Sequence, residues 1–110
     1  MIPTEANIKL ACEEYLQYGQ NKGLWYYDRL NSGEIIELRG NTRRRVRLCK
    51  RGTWDFFVLK DYRVIFLEIK RRGKRLTKEQ LHFGDLVRRQ GAQGFIITDI
   101  DYLNTILPLD

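Results

Sequence analysis

Two β-rich runs at hairpin spacing constrain the fold of this chain more than any other feature. Residues 53 to 59 (TWDFFVL) and 62 to 70 (YRVIFLEIK) are rich in aromatic and β-branched side chains, and the turn residues Lys60 and Asp61 separate them. The VIFLEI segment of the second run is almost continuously apolar, which is typical of a strand covered on both faces. We therefore expect a β-sheet in which this second run is a central strand.

An amphipathic helix is predicted before these strands, over residues 4 to 18. Thr4 is its expected N-cap, and Gly19 and Gly23 are expected to close it. The apolar side chains that recur at helical spacing, and that should form its buried face, are Ile8, Ala11, Cys12, Tyr15 and Leu16. Two cysteines and one histidine are too few for a disulfide framework or a zinc cluster, so we expect reduced thiols with Cys12 in the core.

Two more helices are predicted after the central strand. The first runs from Thr77 to about Gln90, with Gly91 as its stop, and Asp99 caps the second. Residues 94 to 98 (GFIIT) form a short buried strand between them. The side chains predicted to face inward are Leu81, Phe83, Leu86 and Val87 on the first of these helices, and Tyr102, Leu103, Ile106 and Leu107 on the second.

The segment between the first helix and the two β-rich runs gives a weaker pattern. Residues 24 to 30 (LWYYDRL) and 34 to 38 (EIIEL), with the turn signal NSG between them, predict a hairpin. Residues 42 to 51 (TRRRVRLCKR) hold six cations in ten positions, so only Val46 and Leu48 suit an interior, and the run is an exposed strand or a loop. The predicted fold class is α/β, one domain over residues 1 to 110, with a mixed central sheet flanked by helices in the order α-β-β-β-β-α-β-α.

The charge of the chain limits the classes of partner. With 20 Lys and Arg against 14 Asp and Glu, the net charge of +6 favours a polyanion such as nucleic acid or an anionic membrane. No stretch approaches the roughly 18 to 20 apolar residues of a membrane span, and the N-terminal segment MIPTEANIK lacks the apolar core of a signal peptide. We expect a soluble cytoplasmic protein that does not act at a membrane.

Two carboxylates occupy positions at which these strands should be apolar. Asp55 lies between Trp54 and Phe56, and Glu68 lies at the end of the most apolar strand. Buried carboxylates are costly unless they are paired, hydrogen-bonded or bound to a metal, and a hairpin can bring these two together. Such a pair is a hard-oxygen site suited to Mg²⁺ or Mn²⁺. Lys70 shares the face of Glu68, where its amine can balance the cluster or stabilise charge on an attacked phosphate.

Two runs of cations flank this predicted metal site. Cations at this density are suited to phosphate groups of a nucleic-acid backbone. A hard-metal site between two basic runs therefore predicts phosphodiester hydrolysis. The predicted nucleic-acid-binding residues are Arg43, Arg44, Arg45, Arg47, Lys50 and Arg51 in the first run, and Arg71, Arg72, Lys74, Arg75 and Lys78 in the second.

The order and spacing of these motifs resemble a known nuclease family. The residues concerned are Gly52-Thr53-Trp54-Asp55, Glu68-Ile69-Lys70, Leu76-Thr77-Lys78-Glu79-Gln80 and Gly91-Ala92-Gln93-Gly94. Together they resemble the VRR-NUC (virus-type replication-repair nuclease) branch of the PD-(D/E)XK nuclease superfamily, over essentially the whole chain. The E-x-K pair alone is a weak signal, whereas the ordered set is considerably more specific. Trp54 departs from the proline that the family more often has before the aspartate.

The resemblance implies a restriction-endonuclease-like fold and a set of site residues. These are Asp55 and Glu68 as ligands of Mg²⁺ or Mn²⁺ together with the Ile69 carbonyl, Lys70 as the catalytic amine, Gln80 as a support from its helix, and Glu5 reaching in from the first helix. Standalone members are typically phage-encoded and often pair into dimers. A homodimer or higher homo-oligomer acting on branched DNA, such as four-way (Holliday) junctions or flaps, in the cytoplasm of a bacterial host is therefore implied.

Each of these residues also has a structural explanation. Asp55 and Glu68 can form salt bridges with nearby arginines, and Lys70 can be the first member of a solvated basic run. Gln80 lies three residues after a predicted N-cap and can complete a capping box, while Glu5 suits the first turn of any helix. The alternative function is a non-catalytic basic nucleic-acid-binding module. A third, weaker alternative is a phage protein that binds an acidic host partner by charge.

Overall fold

The computed structural model describes residues 3–30 and 34–110, which form a mixed α/β domain. In chain order the elements are α1 (Glu5–Asn21), β1 (Tyr26–Arg29), β2 (Glu34–Arg39), β3 (Thr42–Arg47), β4 (Phe56–Lys60), β5 (Arg63–Ile69), α2 (Lys78–Arg89), β6 (Gln93–Ile97) and α3 (Ile100–Ile106). One sheet has the strand order β1-β4-β5-β6, in which β6 is parallel to β5 and the other pairs are antiparallel. Strands β2 and β3 form a separate two-stranded sheet.

The predicted central hairpin is confirmed as β4 and β5, and β5 lies inside the sheet with a partner on each side. Its turn is Asp61 and Tyr62, one residue later than predicted, and β4 begins only at Phe56. Apolar side chains of β4, β5 and β6 pack against α1 and α3 in one continuous core. On the other face, Phe66 of β5 meets Phe83 of α2 edge to face, with ring centroids 5.2 Å apart. The predicted core position of Cys12 is confirmed, and burial is the main reason that its pKa rises to about 11, so its thiol is protonated at neutral pH.

Hydrogen-bonding side chains begin all three helices where the sequence predicts them. Thr4 accepts a bond from the backbone N–H of Asn7 (3.1 Å), and Asp99 accepts one from that of Tyr102 (2.8 Å). Thr77 caps α2 in the same way, through Gln80. Each cap satisfies a backbone donor that the first helical turn leaves unpaired. In the described ranges, no helix has the length and apolar character needed to cross a membrane.

Gly19 lies inside α1 and does not help to end it, so that prediction is wrong. A Cβ at position 19 would overlap the indole of Trp25, and the Trp25 Nε1–H donates to the Leu16 carbonyl at 2.9 Å. The glycine is therefore required by a close approach of the indole. Gly23, with φ of 76°, follows the end of the helix, as predicted.

The predicted hairpin of residues 24 to 30 with 34 to 38 is also wrong. Its turn, residues 31 to 33, lies outside the described residues. Strand β1 pairs with β4, because Tyr27 joins the core opposite Val58, and β2 pairs with β3 across a turn at Gly40 and Asn41. The run 42 to 51 therefore contains an exposed strand, and the element order gains a strand to become α-β-β-β-β-β-α-β-α. Leu48, predicted to suit an interior, is exposed.

Helix α2 turns a different face inward from the one predicted. Leu81 and Leu86 are exposed, while Gly84 is buried and Phe83 and Val87 are half-buried. The cause is Trp54, because a Cβ at Gly84 would meet its indole at 2.7 Å. The helix approaches the sheet through its smallest residue, which rotates the leucines toward the solvent. Two further residues predicted to face inward, Ala11 of α1 and Tyr102 of α3, are also exposed.

Candidate active site

Asp55 and Glu68 lie next to each other at one end of the sheet, Asp55 just before β4 and Glu68 on β5. Asp55 immediately precedes β4, and its backbone continues the sheet pairing, since its N–H donates to the Leu67 carbonyl at 3.1 Å. Its side chain turns toward β5, where Asp55 Oδ2 accepts a hydrogen bond from the backbone N–H of Ile69 at 2.8 Å. The aspartate is therefore fixed in position by the strand that carries Glu68.

Glu68 is the one buried charged residue of the described chain, with only 3% of its surface exposed. Its Oε2 atom accepts a hydrogen bond from Gln80 Nε2 at 3.0 Å and lies 3.7 Å from Lys70 Nζ. Its Oε1 atom is buried and has no hydrogen-bond partner among the described residues. A buried carboxylate oxygen without a partner is costly when the group is ionised, so Glu68 needs either a proton shared with Asp55 or a bound cation.

The electrostatics of this pair favour a proton on Glu68. Burial, and secondly the adjacent Asp55 carboxylate, raise the pKa of Glu68 to about 8, although Lys70 and Lys9 act in the opposite direction. Two close carboxylates disfavour joint ionisation unless a cation compensates for them. With the two amines alone, Glu68 holds a proton at neutral pH. A bound divalent cation would let both carboxylates ionise.

Gln80 makes the contacts that both of its predicted roles require. Its side-chain oxygen accepts from the Thr77 N–H (2.9 Å) and its backbone N–H donates to Thr77 Oγ1 (3.1 Å), which completes the capping box. Its side-chain amide simultaneously donates to Glu68. The backbone carbonyl of Gln80 accepts a hydrogen bond from Trp54 Nε1 at 2.9 Å. Trp54, next to Asp55 in the chain, thus ties the first turn of α2 to the carboxylate pair, which the sequence motif alone does not reveal.

Lys9 is a site residue that the sequence analysis misses. Its Nζ atom lies 3.0 Å from Asp55 Oδ1. It lies one helical turn after Glu5 and directly after the buried Ile8, at the border of the buried face of α1. A cation at such a border is ordinarily solvated, and only the packing of α1 beside β5 brings this amine to a carboxylate. The helix therefore contributes a cation to the site.

Glu5 is the predicted site residue that the structure does not bring to the others. In the described part of the chain its side chain makes no hydrogen bond or ion pair, and it lines a surface pocket with Lys9, Glu13 and Arg29. Likewise, residues 3–30 and 34–110 contain no group of three or more His, Cys, Asp or Glu side chains able to hold a metal. Any cation at this site would therefore be held by the two carboxylates and by backbone or solvent oxygens.

Both predicted basic runs are exposed, but they differ in their distance from the site. The run from Arg71 to Lys78 begins directly after Lys70, in the loop that leads to α2, and within it Arg72 lies 3.5 Å from Asp99. The run from Arg43 to Arg51 begins on β3, outside the main sheet, and Arg47 lies 3.3 Å from Glu34. The run from Arg71 to Lys78 can therefore contact phosphates next to the carboxylates, and the arginines of β3 can do so farther along a DNA backbone. Lys50 and Arg51 end the other run just before Gly52, which packs against Glu79 in the first turn of α2.

Comparison with known proteins does not assign this chain to a family. No family model matches its sequence, and no curated protein matches it. The contacts between its own side chains therefore carry the functional conclusion.

Proposed function

We propose that this chain is a Mg²⁺- or Mn²⁺-dependent DNA endonuclease of the VRR-NUC type, with a restriction-endonuclease-like fold, that hydrolyses phosphodiester bonds in branched DNA. The observation that carries the proposal is the Glu68 carboxylate, which is buried beside Asp55 with one oxygen unpartnered among the described residues. An ionised carboxylate that only stabilised the fold would be expected to have both oxygens hydrogen-bonded.

The donor set fits a hard divalent cation. Asp55 and Glu68 would hold it together with the Ile69 carbonyl, because carboxylate and carbonyl oxygens are the ligands that Mg²⁺ and Mn²⁺ prefer. When bound, such a cation would polarise the scissile phosphate and lower the pKa of water. The proposal assigns no role to a soft ligand, and Cys12 is fully buried in the apolar core.

The remaining groups would position the carboxylates and compensate charge on the substrate. Lys70, with only 13% of its side chain exposed, presents a largely desolvated amine that can stabilise the negative charge developing on an attacked phosphate. Gln80 holds Glu68 Oε2, and the Ile69 N–H holds Asp55 Oδ2, so both carboxylates are oriented before substrate arrives. Glu5, on α1, remains a candidate for a further carboxylate at the site when the enzyme has bound its metal.

DNA would bind through phosphates, with no reading of bases by the two basic runs. Their eleven cations, at positions 43 to 51 and 71 to 78, are exposed on the surface. A homodimer, or a higher homo-oligomer, would match the two-fold symmetry of a four-way junction, and a monomer would suit flaps or nicks. The resemblance of its motifs to the VRR-NUC family further implies that the protein would be phage-encoded and would act in DNA repair or replication in the cytoplasm of a bacterial host.

One observation favours the alternative, a non-catalytic nucleic-acid-binding module. Lys9 already neutralises Asp55 at 3.0 Å, and Gln80 already donates to Glu68. In that alternative, these contacts exist to stabilise the fold, and the basic runs bind DNA that stays intact.

Incubation of labelled four-way junction, flap, nicked and linear duplex DNA with Mg²⁺, Mn²⁺ or EDTA separates the two functions. We expect cleavage with either metal and none in EDTA, with branched DNA cut before linear duplex. Binding at low salt with intact DNA in every lane would establish the binding module instead. Retention on an acidic protein column that DNA does not compete away would indicate the third, charge-driven alternative.

A further inference from the structure

The hairpin of β2 and β3 is set apart from the rest of the domain. Within residues 3–30 and 34–110, these strands contact each other and no other helix or strand. The radius of gyration of 15.5 Å exceeds the roughly 13 Å expected for a compact domain of this length. Residues 34 to 47 therefore form an extension, which we call the arm. An isolated hairpin is only marginally stable in water, so this one gains from a surface to bind.

The two faces of the arm differ in composition. Ile36 pairs with Arg45 and Leu38 with Arg43, so these four side chains lie on one face. We call it the apolar–basic face, and its members are Glu34, Ile36, Leu38, Arg43, Arg45 and Arg47. Ile36 and Leu38 are 62% and 68% exposed, which is unusual for neighbouring aliphatic side chains in a strand pair. Two large aliphatic groups between arginines need a partner that is both apolar and anionic.

The charge of the arm distinguishes between two kinds of partner. The arm has five arginines and two glutamates, a net charge of +3, and its apolar–basic face alone has +2. A second copy of the chain that docked through the same face would place like charges together, which opposes association. Nucleic acid supplies the negative charge through its phosphates, and it supplies apolar surface wherever its bases are unstacked.

We propose that the arm enters a groove beside the branch point of a DNA junction, with Arg43 and Arg45 against phosphates and Ile36 and Leu38 against bases that the branch leaves unstacked. This inference rests on the proposed function for its substrate class. A two-stranded ribbon has the width to enter the major groove, and apolar side chains pack against base steps that have lost stacking. In a linear duplex every base step is stacked, so Ile36 and Leu38 favour branched DNA. Arg43 and Arg45 contact phosphates in branched and in linear DNA alike.

The test measures binding by fluorescence anisotropy in Ca²⁺, on a four-way junction and a linear duplex of equal length. We expect the double variant Ile36→Thr/Leu38→Thr to bind the junction about tenfold more weakly and the duplex unchanged, because only the contact with unstacked bases is lost. We expect Arg43→Gln/Arg45→Gln to weaken both complexes and to lower the salt dependence by about two phosphate contacts.

Ile35→Thr is the matched control, since Ile35 is an exposed aliphatic residue on the opposite face of the arm. Equal losses with Ile35→Thr, or equal losses on junction and duplex with the double variant, would overturn the proposal. Conversion of a dimer into monomers by the double variant, measured by sedimentation without DNA, would also overturn it and assign the face to a second copy. Thermal unfolding checks folding, and the single variant Leu38→Thr repeats the test if the double variant unfolds.

This binding test does not require cleavage, so its outcome is separate from that of the proposed function. Loss of junction preference by a protein that never cuts DNA would support the arm and refute the nuclease. A wild-type protein that cuts DNA, with a double variant that keeps its full junction preference, would refute the arm alone.

Discussion

Lys70→Ala is expected to lower the cleavage rate by on the order of a thousandfold and to leave DNA affinity in Ca²⁺ within about twofold of wild type. The amine lies 3.7 Å from Glu68 Oε2 and is largely shielded from solvent, so it acts on charge that develops at the site in the transition state. Its contribution to initial binding is small, because many exposed cations share that task. Single-turnover cleavage and anisotropy on the same junction measure the two quantities.

Lys74→Ala is the matched control, because Lys74 lies four residues further along the same basic run and is exposed. It should reduce affinity slightly, with little change in the rate for bound DNA. If Lys70→Ala instead lost rate and affinity to the same degree, Lys70 would be one more phosphate contact, and the proposed role of its amine in the chemistry would be wrong.

Glu68→Gln is expected to abolish the stabilisation of the protein by Mg²⁺. A ligand that binds only the folded state stabilises it by about 2.7 kcal/mol at a concentration of 100 Kd, so wild type should unfold at a higher temperature with Mg²⁺ than with EDTA. The amide keeps the volume of Glu68 and can still accept from Gln80, but it removes an anionic ligand. Thermal unfolding of both proteins, with and without metal, measures the effect. The Glu68→Gln protein should also lose cleavage activity.

The pH dependence of stability, measured without metal, is a second test of the Glu68→Gln substitution. The pKa of Glu68 is about 8 in the folded protein and near its ordinary value of 4.5 in the unfolded chain. The folded state therefore holds the proton more tightly, and wild type loses stability as pH rises from about 4.5 through 8. Glutamine does not titrate, so the stability of Glu68→Gln relative to wild type should rise over this range by on the order of a few kcal/mol.

Glu14→Gln, at an exposed position of α1, is the control for removal of a carboxylate. It should keep the metal response and the pH profile of wild type. A Glu68→Gln protein that Mg²⁺ stabilises as strongly as wild type would remove Glu68 from the metal ligands.

The central hairpin and the helix caps could be predicted from the sequence because their signals are local. Asp61 and Tyr62 form the two-residue turn between β4 and β5, and each strand is rich in β-formers. The partner of β1 could not be predicted in this way. A turn signal after Arg29 marks a break in the strand, but only long-range packing of Tyr27 opposite Val58 selects β4 as its partner.

The candidate site was predictable to the extent that it depends on strand periodicity. The proximity of Asp55, Glu68 and Lys70 could be predicted because a carboxylate is unexpected in an apolar strand and because alternate residues share a face. Lys9 was missed because its role depends on how α1 docks on the sheet. The buried face of α2 could not be predicted for the same reason, since the packing of Gly84 against Trp54 decides which face turns inward.

A crystal structure of the protein grown with Mn²⁺ tests the central claim most directly, because anomalous scattering locates the ion without reference to activity. We expect a single strong anomalous peak within bonding distance of carboxylate oxygens of both Asp55 and Glu68, with Glu68 Oε1 among its ligands. Crystals with no peak there, at a Mn²⁺ concentration that saturates any cleavage activity and with Lys9 still paired to Asp55, would contradict the metal site and the nuclease proposed from it.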